Sequence, residues 1–290
     1  VTLEPCSHYG KTPPCTLKII HKKVNKVYFA IKDPDLRSYN KSSYIFKKKN
    51  ISVTKGLLSK EVNKFYKSYI KNRKTKLPYL TSKIAVSKDF FTHNKKKKWI
   101  TNEYSRGRVH LMRSENDCIM TSSNTIRADN PKLNCRINGL ETRSPIKVVL
   151  DKNLETPLNS QIFHGIKKSN TIIFYNKSVN KKIKGFKKLN VRMVKTKVLK
   201  DGNFNLTNIL VKLYNFGFTR IFLEAGVNLN NSFLKYNLID ELHVFISENK
   251  IGKNGLFKIK DNIKYLLNTK KPEFKKVNLL GDRLLSYNIK

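Results

Sequence analysis

Residues 205–247, NLTNILVKLYNFGFTRIFLEAGVNLNNSFLKYNLIDELHVFIS, decide the fold. Apolar residues at helical spacing predict a helix that ends at Gly217 and a second helix over residues 229–239. Two short apolar runs predict strands, at residues 220–226 and 241–247. The same alternation of short apolar strands with helices runs through the preceding part of the chain. This pattern is typical of a largely parallel sheet with helices on both faces, so we expect an α/β protein.

The chain has 290 residues, enough for two domains. Residues 1–75 predict the end of an α/β unit, and a lysine-rich stretch ending at Pro78 predicts the boundary to a second domain over residues 78–290. Its tail carries two weak strand patterns, at residues 275–281 and 283–289. No apolar stretch reaches the roughly 18 residues of a membrane span, and no secretory signal is visible. We therefore expect a cytoplasmic protein without a membrane partner.

The formal net charge of +40 would ordinarily indicate a polyanionic partner. Only 11 of the 60 basic residues are arginine, however, and the lysines are spread along the whole chain. Nucleic-acid sites favour basic residues clustered on one face together with stacking aromatic side chains. The charge therefore predicts a solvated basic surface that attracts anionic small molecules such as phosphates, and no nucleic-acid partner is expected.

Two Pro-Cys pairs lie in residues 1–15, VTLEPCSHYGKTPPC. Zinc deaminases hold their metal with one His and two Cys, and a Glu moves protons. The spacing of nine between Cys6 and Cys15 is longer than in that general pattern. Two cysteines alone are also compatible with a structural role, and Cys118, in an apolar run, is expected to be a core residue.

The full string closely resembles the deaminase domain of the bifunctional riboflavin-biosynthesis deaminase–reductase family (RibD type), whose signature is T-L-E-P-C-x-x-x-G-x-T-P-P-C. The resemblance implies the C-terminal part of a cytidine-deaminase-like α/β/α domain with Cys6 and Cys15 as zinc ligands. The family's third ligand and its catalytic Glu come from an H-A-E segment upstream of the first residue here. His8 is expected to line the substrate pocket. Two glycines of a later family loop are replaced by Asn40 and Ser42, which brings the deaminase activity into question.

The resemblance also covers nearly all of residues 78–240 and implies a dihydrofolate-reductase-like α/β domain that uses NADPH. KIAVSKDF matches the family's K-x-A-x-S-x-D-G except that Phe90 stands where the family has Gly, a residue that permits positive φ. Residues 101–115 predict a helix capped by Thr101 or Asn102. The implied cofactor-binding residues are Ala85, Trp99, Thr125, Asp129, Lys152 and Gly226. The implied substrate-binding residues are Lys97, Arg113, Leu133, Arg136 and Glu224.

The implied chemistry is two consecutive reactions on a phosphorylated pyrimidine. Zinc-bound hydroxide deaminates 2,5-diamino-6-ribosylamino-4(3H)-pyrimidinone 5′-phosphate, and NADPH then reduces the ribosyl group to ribityl. Lys83 is a candidate to steady charge in the second step. We expect a homo-oligomer. Two alternatives stay open: a reductase with a decayed deaminase domain, and a zinc deaminase that acts on nucleic acid. A non-enzymatic basic binding protein would explain none of these motifs.

Overall fold

The computed structural model describes residues 1–164, 171–177, 180–259 and 261–290. The chain divides into two compact units, Val1–Pro78 and Tyr79–Lys290. In the described ranges, no helix is both long enough and apolar enough to cross a membrane.

The Val1–Pro78 unit has a small parallel pair of strands, β1 with β2, flanked by helices. Its core is formed by Val27, Phe46 and Ile51. The alternating burial of β1 shows how one strand can bury one face and leave the other in solvent. The elements are α1 (Cys15–His21), β1 (Lys26–Phe29), α2 (Lys41–Lys47), β2 (Ser52–Lys55) and α3 (Ser59–Thr75).

The Tyr79–Lys290 unit is built on a large sheet with helices between its strands. The strands are β3 (Tyr79–Val86), β4 (Phe91–Asn94), β5 (Cys118–Ser122), β6 (Ile146–Leu150), β7 (Thr171–Tyr175), β8 (Arg192–Lys195), β9 (Arg220–Glu224), β10 (Glu241–Ile246), β11 (Gly255–Lys258), β12 (Glu273–Phe274) and β13 (Arg283–Asn288). The helices are α4 (Glu103–Ser114), α5 (Ser123–Asp129), α6 (Asn180–Lys188), α7 (Leu206–Asn215), α8 (Val227–Lys235) and α9 (Asp261–Thr269).

Across the described residues, the main sheet has nine strands in the order β12-β13-β10-β3-β9-β5-β6-β7-β8. The seven strands from β10 to β8 run parallel, whereas β13 and β12 add an antiparallel edge. The α/β class is therefore confirmed, and the sheet is mixed. Strands β5, β7 and β10 are buried almost throughout, as expected for strands covered on both faces.

The two weak strands predicted in the tail have different outcomes. Residues 283–288 form β13, as predicted. The strand predicted over residues 275–281 is wrong, because Leu280 and Gly281 adopt left-handed φ values of 44° and 92°, which break extended backbone. The partner of β13 on this side is instead the two-residue strand β12.

The order of strands in the sheet explains where a ligand can bind. The chain passes from β3 to β5 and on to β8, and then returns to insert β9 between β3 and β5. In open parallel sheets, such a reversal of strand order opens a crevice at the carboxyl ends of the strands. The carboxyl ends of β3, β9 and β5 therefore mark the expected site.

Candidate functional site

Lys83 and Glu224 face each other where the strand order of the main sheet reverses. They are register partners on the neighbouring strands β3 and β9. The Lys83 ammonium lies 3.8 Å from Glu224 Oε1, and both side chains are 17% exposed. The sheet register alone thus brings together a lysine and a carboxylate that are far apart in the sequence.

Arg113, in the last turn of α4, holds Glu224 with two hydrogen bonds. Its Nε donates to Glu224 Oε2 at 3.0 Å and its Nη2 donates to Oε1 at 2.9 Å. Its Nη1 donates to the carbonyl oxygen of Asn134 at 3.0 Å. All three nitrogens of the buried guanidinium therefore contact protein, and the fork fixes the plane of the carboxylate.

The charged groups of this cluster shift each other's pKa values. Burial alone would raise the pKa of Glu224, but the positive charges of Arg113 and Lys83 outweigh it and bring that pKa to about 2. Burial lowers the pKa of Lys83, and Glu224 opposes part of that shift. Glu224 is consequently ionised near neutral pH, and Lys83 releases its proton more readily than a solvated lysine.

His110 belongs to the same cluster, although sequence reasoning missed it. Its Nδ1 lies 3.0 Å from the Asn134 carbonyl oxygen, 3.4 Å from Arg113 Nη1 and 3.3 Å from the amide nitrogen of Arg136. Burial and the neighbouring Arg113 charge lower the pKa of His110 to about 4. The one available signal was its position three residues before Arg113, on the same face of α4.

The 130–136 loop carries two of the predicted substrate residues. Leu133 is 2% exposed and packs into the hydrophobic core with a φ of 51°, so only its main chain is available to a ligand. The Cys135 amide donates to Ser144 Oγ at 3.0 Å. Arg136 is exposed, and its Nη1 donates to Asn134 Oδ1 at 3.0 Å. The loop is thus fixed at its core side and presents one guanidinium to solvent.

Thr125 and Asp129 lie on α5, which follows β5. The side chain of Ser122 caps this helix by accepting from the Thr125 amide at 3.3 Å. Asp129 is exposed, but the protein groups around it remove part of the water that would solvate its carboxylate. Desolvation raises its pKa, while the positive charges of His93, Lys98 and Lys83 oppose the shift. These neighbours place Asp129 at the same charged cleft as Lys83.

Trp99 is 55% exposed, which is unusual for so large an apolar ring. The Lys98 ammonium lies 5.3 Å from the centre of its ring and the Arg106 guanidinium carbon 5.1 Å from it. Lys97, the neighbouring residue predicted to contact substrate, is exposed, and its amide donates to Asn94 Oδ1 at 3.3 Å. This segment therefore offers an aromatic surface with flanking positive charges.

Gly226 caps the N-terminus of α8, just after Glu224. A Cβ atom added at Gly226 would meet no atom within 4 Å, so the space beside it is open. The first turn of a helix also presents amide groups that lack an intrahelical acceptor. The side chain of Asn230 closes the turn by donating to the carbonyl oxygens of Ala225 and Gly226 at 2.8 and 3.2 Å. An anionic group would find both space and N–H donors here.

The last two residues predicted to bind cofactor lie on other elements. Ala85, on β3, packs against the hydrophobic core. Lys152 follows β6, and its ammonium donates to the Gly202 carbonyl oxygen at 3.0 Å. Lys152 is thus held by a different loop from those that form the Glu224 cluster, and its role stays a prediction.

Phe90 adopts the backbone conformation that the family's glycine would favour. Its φ is 67°, a left-handed value that is costly for a bulky residue. The preceding Asp89 holds this turn in place: its carboxylate accepts from Ser87 Oγ at 2.6 Å and from the amides of Ile251 and Gly252 at 3.0 and 2.8 Å. The substitution therefore keeps the turn at the cost of local strain.

In the Val1–Pro78 unit, the two cysteines lie beside each other. The Cys15 amide donates to Cys6 Sγ at 3.2 Å, and Cys15 is exposed while Cys6 is half-buried. A hydrogen bond with Cys6 and partial burial raise the pKa of the Cys15 thiol. Among the described residues, no group of three or more His, Cys, Asp or Glu side chains could hold a metal ion. The pair thus offers two adjacent sulfur ligands, and the zinc site stays a prediction.

His8 Nδ1 lies 3.0 Å from Ser38 Oγ, and the expected place of His8 in a substrate pocket stays a prediction. The loop that lacks the family's glycines is nevertheless well supported. Asn40 adopts a φ of 61°, which asparagine tolerates better than most residues. The buried Glu4 carboxylate accepts from the amides of Asn40 and Ser42 and from Ser42 Oγ, at 2.9 to 3.1 Å. Glu4 is therefore a structural anchor of this loop.

Residues 78–284, which contain this whole charged cluster, match the family model of the RibD C-terminal domain. The chain belongs to the RibD family. The riboflavin biosynthesis protein RibD of Actinobacillus pleuropneumoniae is 32% identical over 254 residues, 87% of this chain and 67% of that protein. RibD of Aquifex aeolicus is 32% identical over 289 residues, 99% of this chain and 79% of that protein. The chain thus carries the RibD C-terminal domain and is similar to riboflavin biosynthesis proteins over most of its length.

A solved structure from Thermotoga maritima extends the similarity to the fold. It is a diaminohydroxyphosphoribosylaminopyrimidine deaminase/5-amino-6-(5-phosphoribosylamino)uracil reductase, 27% identical to this chain. The superposition covers 99% of this chain and 78% of that protein, with a TM-score of 0.78. RibD family similarity therefore spans both compact units.

Proposed function

We propose that the Tyr79–Lys290 unit is an NADPH-dependent reductase of 5-amino-6-(5-phosphoribosylamino)uracil. The observation that carries this proposal is the Lys83–Glu224–Arg113 cluster, because it lies at the strand reversal inside the region that matches the RibD C-terminal domain. A buried carboxylate held by an arginine fork is a rigid acceptor for sugar hydroxyl groups.

The substrate is an anion, and the exposed Arg136 guanidinium is the best placed of the predicted substrate residues to bind its phosphate. Arg113 is already bonded to Glu224 and Asn134, so its first role in this proposal is to orient Glu224. The general positive charge of the chain raises the local concentration of such a substrate.

The residues around the cleft fit a nicotinamide dinucleotide. The open space at Gly226 and the N-terminus of α8 suit a pyrophosphate, and Trp99 offers an exposed ring for stacking. Thr125 and Asp129 would provide polar contacts from α5. When bound, NADPH supplies the hydride that reduces C1′ of the ribosyl group.

The proposed reaction also requires transfer of a proton to the substrate. Once the sugar ring opens to a C1′–N imine, the hydride adds to C1′ and the nitrogen gains a proton. Lys83 is the proposed proton donor or charge stabiliser, because burial lowers its pKa and Glu224 keeps its ammonium in place.

We further propose that the Val1–Pro78 unit is the C-terminal part of a cytidine-deaminase-like domain, with Cys6 and Cys15 as thiolate ligands of zinc. Zinc would activate water for removal of the amino group. The Glu4 carboxylate accepts from the amides of Asn40 and Ser42 and holds this loop in place. These contacts favour an intact deaminase domain over a decayed one. In the family that this unit resembles, an H-A-E segment provides the third zinc ligand and the proton-transferring Glu.

The reductase proposal is tested by mixing the protein with NADPH and the deaminated substrate and following NADPH oxidation by absorbance. We expect turnover with this substrate and little with its non-deaminated precursor. Lys83→Met should lower kcat by at least about tenfold, whereas Lys212→Met, a change at a lysine that donates to Thr196 Oγ1 at 3.2 Å, should leave kcat nearly unchanged. Failure of the wild-type protein to bind NADPH, measured by fluorescence titration, would overturn the assignment.

A further inference from the structure

We infer that His110 is a positioning residue that fixes the 130–136 loop, and through it Arg136, for binding of the phosphorylated substrate. This inference rests on the proposed function of the loop. It assigns a role to a residue that lies behind the site and that no sequence motif singled out.

The first argument is geometric. A single atom, His110 Nδ1, lies within hydrogen-bond distance of both sides of the loop's turn. With a proton on Nδ1 it donates to the Asn134 carbonyl oxygen at 3.0 Å, and in the other tautomer it accepts from the Arg136 amide at 3.3 Å. An imidazole nitrogen attached to a helix is a far stiffer partner than water, because α4 is anchored to the core through Val109 and Met112. His110 therefore sets the distance between the loop and the helix.

The second argument is that the same contacts connect the loop to Glu224. Arg113 Nη1 lies 3.4 Å from His110 Nδ1 and donates to Asn134, while the rest of its guanidinium holds Glu224. The loop carbonyl is thus shared between His110 and Arg113. A shift of the loop would disturb the two proposed substrate groups, Arg136 and Glu224, together.

The third argument is that the recorded contacts of outside side chains with the Asn134 carbonyl and the Arg136 amide come from α4, through His110 and Arg113. On the far side, Ser144 binds the Cys135 amide, and the Asn130 side chain accepts from the Gln161 amide. Ser144 thus holds the middle of the turn and Asn130 the start of the loop, while Asn134 and Arg136 contact α4. The positive φ of Leu133 indicates a backbone that neighbouring contacts must hold in place.

The experiment compares His110→Asn with His110→Leu. Asparagine keeps a polar atom at the place of Nδ1, whereas leucine has a similar size and none. The matched control is Met112→Leu, a volume-conserving change in the core face of the same helix. Hydrogen exchange of residues 130–137, followed by mass spectrometry, reports the loop directly. KM and kcat are measured alongside.

We expect H110L to speed exchange in the loop and to raise KM for the pyrimidine phosphate about three- to tenfold, the cost of one lost hydrogen bond. Its kcat and NADPH affinity should change by less than about twofold. H110N and M112L should behave like the wild type.

Unchanged loop exchange in H110L overturns the inference, and so does an H110N variant that fails as badly as H110L, since packing would then be the cause. A wild-type protein without turnover defeats the proposed function instead. The exchange measurement does not need turnover and still decides whether His110 fixes the loop.

Discussion

The charged cluster of the Tyr79–Lys290 unit and the cysteine loop of the Val1–Pro78 unit are built in contrasting ways. In the first, Glu224 and Arg113 neutralise each other within a network of short hydrogen bonds, with Lys83 close by. In the second, the recorded contact between the two cysteines is one amide donating to one sulfur. The first site is held in shape by the protein's own charges, whereas two adjacent thiols need a metal to fix their geometry.

This difference predicts which substitutions would disrupt each site. A self-neutralising cluster fails when one charge is removed, because the remaining charges are buried without a partner. Substitution of the two cysteines should leave the fold intact, but the pair then loses its ability to bind a metal ion. The four experiments below test this contrast, from the largest expected effect to the smallest.

Glu224→Ala should lower the free energy of unfolding by about 3 kcal/mol, because Arg113 would remain buried and unpaired. Urea unfolding followed by the fluorescence of Trp99, the single tryptophan, measures this unit. The matched control is Glu155→Ala, which breaks an exposed pair with Arg127 and should cost at most about 1 kcal/mol. Equal costs for the two variants would show that the cluster is not self-neutralising.

Arg113→Lys should reduce kcat/KM of the proposed reductase by about tenfold to a hundredfold, since lysine keeps the charge but cannot form the fork. Steady-state kinetics with NADPH measures the loss. A Cys6→Ser/Cys15→Ser double variant should keep the reductase within about twofold of wild type. If the double variant lost as much as R113K, the two sites would not be independent.

Gly226→Ala and Asn40→Ala form a pair of small changes with different expected readouts. The first should weaken NADPH binding about tenfold with little effect on stability, because the added methyl enters open space at a φ of −66°. The second should cost about 1 kcal/mol of stability, because alanine tolerates a φ of 61° poorly.

Fluorescence titration of G226A and urea unfolding of N40A measure these effects, and Asn40→Gly is the control that should leave stability almost unchanged. A destabilised G226A with normal NADPH affinity would contradict the proposed role of that glycine.

The fourth experiment varies pH. The pKa of His110 is about 4 in the folded protein and near 6.5 when solvated. The unfolded chain therefore binds more protons between these values, and this residue makes stability fall as pH drops from 6.5 towards 4. Unfolding of wild type and H110N, followed by Trp99 across this range, should show their difference changing with pH in that direction. A constant difference would contradict the lowered pKa.

Much of this arrangement could be predicted from the sequence. The alternation of strands and helices gave the fold class, and Asn102, one of two predicted caps, does cap α4. Lys83, Arg113 and Glu224 were chosen through family resemblance, and the structure brings them into one cluster. Whether they bind substrate stays a prediction.

The rest depends on contacts between distant segments. His110 joins the cluster only because the 130–136 loop folds back onto α4. Asp89 receives its amide partners from residues 251 and 252, more than 160 positions later. Periodicity describes one element at a time, so it could not show these contacts or the antiparallel edge at β13.

The insertion of β9 between β3 and β5 also has a consequence for how the molecule is made. During synthesis, β3 and β5 emerge long before their shared neighbour, so the middle of the sheet stays incomplete and its apolar strand edges stay unpaired. Glu224, 111 residues after Arg113, arrives with that strand. The proposed substrate cleft and the closure of the sheet therefore form together, late in folding, and a nascent chain stopped before β9 would lack the cleft and be prone to aggregate.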